Sequence, residues 1–136
     1  MDRTARTRGG CLCGAVRYSA KGRPKGVGNC HCVQCRKATG AAFATFAQFA
    51  ARDVRFGRTR PKYFRSSKWA ERGFCRACGG TLSYRLVKDP GKIWLAVGSI
   101  DDPSKLRPRA HIFTKSMLPW VKLADHLPRF KEFPPT

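Results

Sequence analysis

The sequence predicts a mainly β, small single domain pinned by metal. Three observations carry this. Seven cysteines fall in three groups whose spacings suit metal ligation, and an odd count does not close into a disulfide set. Thirteen glycines and nine prolines are spread along the 136 residues, dividing the chain into short elements joined by turns. Between those turns the apolar residues alternate over short runs, as half-buried strands do. At this length, with nine Phe, three Tyr and three Trp, the chain can bury a modest core as one unit.

The elements follow in order. Residues 1–8 read as a basic arm carrying Arg3, Arg6 and Arg8, and residues 9–133 as the folded domain. Cys11-Leu12-Cys13-Gly14-Ala15-Val16-Arg17-Tyr18 reads as a knuckle entering a short strand. Residues 21–28 are rich in Gly, Pro and Lys and read as a loop. After the triple-cysteine cluster, Arg36-Lys37-Ala38-Thr39-Gly40 reads as one helical turn stopped by glycine. Residues 43–49 read as a strand. Residues 53–57 and 62–66 read as two more, separated by an arginine-rich turn, and residues 69–74 lead into a second knuckle at Cys75 and Cys78. Leu82, Tyr84 and Leu86 are expected to share one strand face, and Ile93, Leu95 and Val97 another; the Asp89-Pro90-Gly91 turn joins them as a hairpin. His111-Ile112-Phe113 reads as a short late strand, and residues 128–135 as irregular. No internal repeat or domain boundary is visible.

Cys11 and Cys13 form C-x-C, Cys30, Cys32 and Cys35 form C-x-C-x2-C, and Cys75 and Cys78 form C-x2-C followed by Gly79-Gly80. A C-x2-C turn places two sulfurs on one side of a tetrahedron and needs two more from elsewhere. Cys11 and Cys13 are the natural partners, because the third group has three sulfurs of its own. Seven thus divides as four plus three: a closed structural zinc, and a zinc with one open position. The fourth position of the second site could take water, a substrate thiolate or His31, and the favoured reading of His31 is a spacer turned away from the metal. Arg36 and Lys37, beside the last cysteine, should depress thiolate pKa values. A redox dithiol at Cys75 and Cys78 lacks a surrounding thioredoxin-like pattern.

The charge is extreme: 28 Lys+Arg against 8 Asp+Glu, formally +20. Two zinc-thiolate centres would bring it only to about +17. Such a chain attracts nucleic acid, anionic surfaces or anionic small molecules. Between residues 52 and 76 lie Arg52, Arg55, Arg58, Arg60, Lys62, Arg65, Lys68, Arg72 and Arg76, interleaved with Phe56, Tyr63, Phe64, Trp69 and Phe74. This could be a solvated face or a phosphate-binding surface that stacks bases. No helix-turn-helix or RNA-recognition signature accompanies it. No apolar stretch approaches the roughly 18 residues of a membrane span. No apolar region follows the basic start, so no secretory signal is expected, and a reducing cytoplasmic setting is.

Gly10-Cys11-Leu12-Cys13-Gly14-Ala15-Val16, Cys30-His31-Cys32-Val33-Gln34-Cys35-Arg36-Lys37-Ala38-Thr39-Gly40-Ala41-Ala42-Phe43 and Phe74-Cys75-Arg76-Ala77-Cys78-Gly79-Gly80 come in this order. With Val97-Gly98-Ser99-Ile100-Asp101-Asp102-Pro103 and His111-Ile112-Phe113, they closely resemble the glutathione-dependent formaldehyde-activating enzyme family, which includes centromere protein V. The resemblance implies a β-tent of twisted antiparallel sheets with short helical turns. It implies a structural zinc on Cys11, Cys13, Cys75 and Cys78 and a catalytic zinc on Cys30, Cys32 and Cys35. The implied activity is that of a carbon–sulfur lyase joining glutathione, as co-substrate, to formaldehyde. Arg36 and Lys37 are then candidate contacts for the glutathione carboxylates. The alternative is a zinc-stabilised binding module for nucleic acid or another polyanion. An intact third cysteine group favours chemistry, since a pure binding module needs only the structural metal.

Overall fold

The computed structural model describes residues 6–135, and the fold is mainly β, as the alternation predicts. A small antiparallel sheet contains β1 (Arg6–Gly10), β2 (Arg17–Lys21) and β5 (Val54–Phe56) in the order β1-β2-β5. A seven-stranded sheet contains β3 (Gly26–Cys30), β4 (Ala44–Ala50), β6 (Lys62–Arg65), β7 (Ala70–Phe74), β8 (Thr81–Leu86), β9 (Lys92–Ala96) and β10 (Ala110–Ile112). Its order is β10-β3-β4-β9-β8-β7-β6, and only the β10–β3 pair is parallel. One helix, α1 (Val33–Thr39), leaves the end of β3.

The main core lies between the sheets. Val16, Tyr18 and Ala20 from the small sheet's side meet Val27, Ala47, Phe49, Leu82, Ile93 and Leu95 from the large one. The opposite face of the large sheet holds a second cluster of Cys30, Cys35, Ala44 and Phe46, with Tyr84, Trp94, Ala96, Ile112 and Phe113 against it. β4 is therefore buried on both faces, which explains its nearly continuous apolar run, Ala-Thr-Phe-Ala-Gln-Phe-Ala.

Four expectations differ in detail. The basic arm overlaps β1: Arg6 and Arg8 lie in a strand whose register runs from Arg6 opposite Lys21 to Gly10 opposite Arg17, because the Cys11 turn closes this pair as a hairpin. Residues 1–5, Arg3 included, lie outside the described residues. The expected loop at 21–28 gives way to β3 from Gly26, since β4 and β10 pair with it on both edges and override the poor strand propensity of glycine. The helical turn begins earlier, at Val33, because Cys32 caps it: its sulfur accepts the Cys35 N–H at 3.2 Å. Gly40 does end it, in the left-handed region at φ 70°.

The fourth difference concerns Leu82. Leu82 enters the main core, while Tyr84 packs in the second cluster, so the two do not share a face. A bulge is the cause. Gly73 pairs with Ser83 and Phe74 with Thr81, which leaves Leu82 as the extra residue. Gly73 has to be glycine there, because a Cβ would lie 2.4 Å from the Ser83 hydroxyl. Ile93, Leu95 and Val97 do share the main core.

Candidate metal centres

Two turns build the first centre. The β1–β2 turn carries Cys11 and Cys13, and the β7–β8 turn carries Cys75 and Cys78; the four sulfurs lie within 4.8 Å of one another. Sγ of Cys13 is 3.6 Å from Cys11 Sγ and 3.8 Å from Cys75 Sγ. A tetrahedron with Zn–S arms of about 2.3 Å has edges of about 3.8 Å, so the donor set fits such a metal. Backbone N–H groups also point at the sulfurs: Val16 to Cys11 at 3.2 Å, Ala77 to Cys75 at 3.3 Å and Gly80 to Cys78 at 3.4 Å. Burial opposes ionisation of Cys11, but the Val16 N–H and the neighbouring thiols outweigh it and bring the thiol down to about 6. The centre joins the small sheet to the large one.

The second centre sits where β3 runs into α1. The sulfurs of Cys30, Cys32 and Cys35 lie within 4.8 Å of one another. Three thiolates leave one tetrahedral position free of cysteine, the arrangement of an open site. Hydrogen bonds from Cys30, then Cys35, hold Cys32 well below the ordinary thiol range, helped by the Cys35 N–H and the Arg72 charge. Cys30 is pushed up by the same contacts and by burial.

His31 lies outside this sulfur group. Its ring stacks 4.8 Å from Phe43, and its Nε2 meets Nδ1 of His111 at 3.0 Å. His111 Nε2 in turn meets Asp125 at 2.8 Å. Asn29 also reaches His111 Nδ1, at 3.5 Å, and accepts the Thr45 hydroxyl at 2.6 Å. Sequence reasoning missed this chain, because parallel pairing of β10 with β3 is what puts His111 opposite Asn29.

Arg72 was also missed, having been counted with the basic surface. It is 7% exposed, and its Nη2 donates to Cys35 Sγ at 3.5 Å. Its guanidinium lies 5.0 Å from the ring centre of Tyr84, its cross-strand neighbour. Strand periodicity held a signal, since Arg72 lies two residues from the buried Ala70, on the same strand face. Arg36 is half-buried and Lys37 exposed on α1, and neither makes an ion pair among the described residues. A cleft of about 640 Å³ runs past Cys11, Arg17, Thr39, Thr45, Ser99 and Asp101. It shares Ala44, Phe46 and Ala96 with the packing around the second centre, but none of the three sulfurs lines it.

On the surface, Arg58, Arg60, Arg65, Phe64 and Trp69 are exposed. Phe56 is not available for stacking, because it packs against Tyr18 at 5.9 Å. No helix among the described residues is long and apolar enough to cross a membrane.

Fold and donor sets together define a class: small, mainly β proteins carrying a four-cysteine and a three-cysteine centre. Residues 6–116 match the family described as glutathione-dependent formaldehyde-activating enzyme, and the chain belongs to that family. A protein of Schizosaccharomyces pombe named as an uncharacterized lyase is 36% identical over 94 residues, covering 66% of this chain and 68% of that one. A crystal structure of a Rhodobacter sphaeroides protein aligns with a TM-score of 0.55 at 21% identity, over 90% of this chain and 98% of that one, and shares the fold.

Proposed function

We propose that the protein is a zinc-dependent carbon–sulfur lyase that forms and cleaves the S-hydroxymethyl adduct of glutathione, or a similar small thiol, with formaldehyde. The observation that carries this reading is the second cysteine group: three convergent sulfurs with one tetrahedral position left over. Family membership and the lyase-named relative support the reaction class. Cys11, Cys13, Cys75 and Cys78 would hold a structural zinc, and Cys30, Cys32 and Cys35 a catalytic one. A zinc at the second centre supplies Lewis acidity, lowering a thiol pKa or polarising a carbonyl oxygen. In the forward direction the thiol sulfur attacks the aldehyde carbon, the C=O pair moves onto oxygen, and the oxygen takes the thiol proton.

The chain's own residues provide the setting. Phe46, Tyr84, Trp94 and Phe113 surround the cluster and limit water at the reacting atoms. Arg36 and Lys37, on the helix that carries Cys35, would take the carboxylates of the tripeptide. Seven free thiols suit a reducing, cytoplasmic setting. Because formaldehyde adds to thiols unaided, the test is the rate of exchange. Magnetisation-transfer NMR on glutathione, formaldehyde and their adduct should show faster exchange with wild-type holoprotein than with Cys32→Ser. Equal rates with and without wild-type protein would remove the proposal.

A second reading, a polyanion-binding face, is favoured by one feature: exposed Trp69 carries Lys68 at 4.6 Å and Lys88 at 5.6 Å from its ring. Its test is the salt dependence described below.

A further inference from the structure

Arg72 holds a charged fork against the three-cysteine centre with part of that fork uncommitted. Nη2 donates to Cys35 Sγ at 3.5 Å and Nε to Ser66 Oγ at 3.3 Å. Nη1 is buried and has no hydrogen-bond partner among the described residues. The whole side chain is 7% exposed, and no described carboxylate pairs with it. The sulfur cluster supplies the countercharge, which accounts for Nη2 but not for Nη1. A buried charged N–H without an acceptor is costly, so Nη1 is placed to receive one.

Of the five guanidinium N–H groups, Nε–H and one on Nη2 are engaged, which leaves two on Nη1 and one on Nη2. The side edge formed by Nε and Nη2 is closed to a bidentate carboxylate, and the remaining donors can receive a substrate oxygen. Tyr84 lies against the guanidinium, its ring centre 5.0 Å from Cζ. In an S-hydroxymethyl thiol the oxygen is one carbon from the reacting sulfur. A donor beside Cys35 therefore stands near the oxygen of any aldehyde or hydroxymethyl group brought to this centre. Arg36 offers a weaker case: its Nε is also buried without a partner, but the residue is half-exposed and, unlike Arg72, donates no side-chain hydrogen bond to a cluster sulfur among the described residues.

We propose that Arg72 is a catalytic residue whose Nη1 donates a hydrogen bond to the substrate oxygen while negative charge builds on it. The inference rests on the lyase reading. As the S–C bond forms, the C=O pair becomes a lone pair on oxygen, and Arg72 stabilises that charge until the thiol proton arrives. In the reverse direction the hydroxyl proton leaves, the oxygen lone pair re-forms C=O, and the S–C pair returns to sulfur. Arg72 gives up no proton in either direction. Preorganised donors of this kind act most strongly where water is excluded.

Two measurements test it, on wild type, Arg72→Met and Arg72→Lys. In holoprotein, Arg72→Met should lower kcat for adduct exchange by about 100-fold, the usual loss of one oxyanion donor, with KM for glutathione within about twofold and metal content unchanged. Arg72→Lys, which keeps the charge without the fork, should recover part of the rate. In metal-free protein, alkylation of Cys30, Cys32 and Cys35 by iodoacetate and by iodoacetamide is compared by mass spectrometry. The anionic reagent should lose its advantage in Arg72→Met by about threefold or more, and the ratio of the two rates cancels changes in thiolate reactivity. An unchanged ratio, full-rate exchange in Arg72→Met, or loss of the second metal in that variant would overturn the catalytic role. Absence of exchange in the wild type would instead overturn the lyase reading, a distinct result.

Discussion

His31 and His111, both wholly buried, meet through Nε2 and Nδ1 at 3.0 Å, and the groups around them determine which ring donates. Asp125 accepts from His111 Nε2–H, so neutral His111 has an acceptor at Nδ1. Thr45 donates to Asn29 Oδ1, which turns the Asn29 amide N–H toward that same acceptor. His31 must therefore donate from Nε2, and its Nδ1 is left without a partner. The chain anchors the residue between Cys30 and Cys32 to β10 and to the loop carrying Asp125.

This arrangement gives a pH dependence of stability. Burial, more than any neighbouring charge, lowers the His31 pKa below its ordinary 6.5. As pH falls through about 6.5 the unfolded chain takes up a proton that the folded chain resists, so stability is retained above that value and lost progressively below it. His31→Phe keeps a ring against Phe43 and removes this titration. The melting-temperature gap between wild type and His31→Phe should narrow from pH 7.5 to pH 5.5. Parallel pH profiles would contradict the neutral-imidazole assignment.

The four-cysteine centre spans 62 residues between Cys13 and Cys75 and ties the small sheet to the large one. Metal affinity there would be folding free energy. Cys75→Ser and Cys13→Ser should give insoluble or molten protein. A cooperative melt with native near-UV dichroism in either variant would show that this centre is dispensable.

Cys32 both belongs to the open centre and caps α1. Serine caps helices well and binds zinc poorly, so Cys32→Ser should lose one metal equivalent and the exchange activity while keeping a cooperative fold. Cys32→Ala also loses the cap. In metal-free protein it should be less stable than Cys32→Ser by about 1 kcal/mol. Equal stability of the two, measured by urea denaturation, would argue against the capping role.

The charge excess should produce polyanion binding that fades with salt. The log–log salt slope should be roughly −0.7 to −0.9 per neutralised phosphate. Reversing the exposed Arg58, Arg60 and Arg65 to glutamate should flatten the slope without altering metal content. Submicromolar affinity persisting at about 0.15 M salt would promote the binding-face reading, because screening at that strength removes most non-specific attraction.

The division of seven cysteines into four and three was legible in the chain alone. A knuckle is a local turn, so its sulfurs converge within a few residues whatever lies around them. The stop of α1 at Gly40 and the common face of Ile93, Leu95 and Val97 were legible for the same reason: each depends on near neighbours in sequence. The start of α1 was less visible because cysteine is an unusual cap. Which residues surround the clustered sulfurs was decided only by tertiary structure. Arg72 became a buried neighbour of Cys35 because β7 pairs with β8 and lays its side chain over Tyr84. Leu82 changed faces through a bulge created one strand away, at Gly73. His111 reached His31 across 80 residues through a parallel strand pair. Turn chemistry is set by a few adjacent residues, whereas burial and polar pairing depend on which strand lies opposite, and alternation along one strand carries no record of that partner.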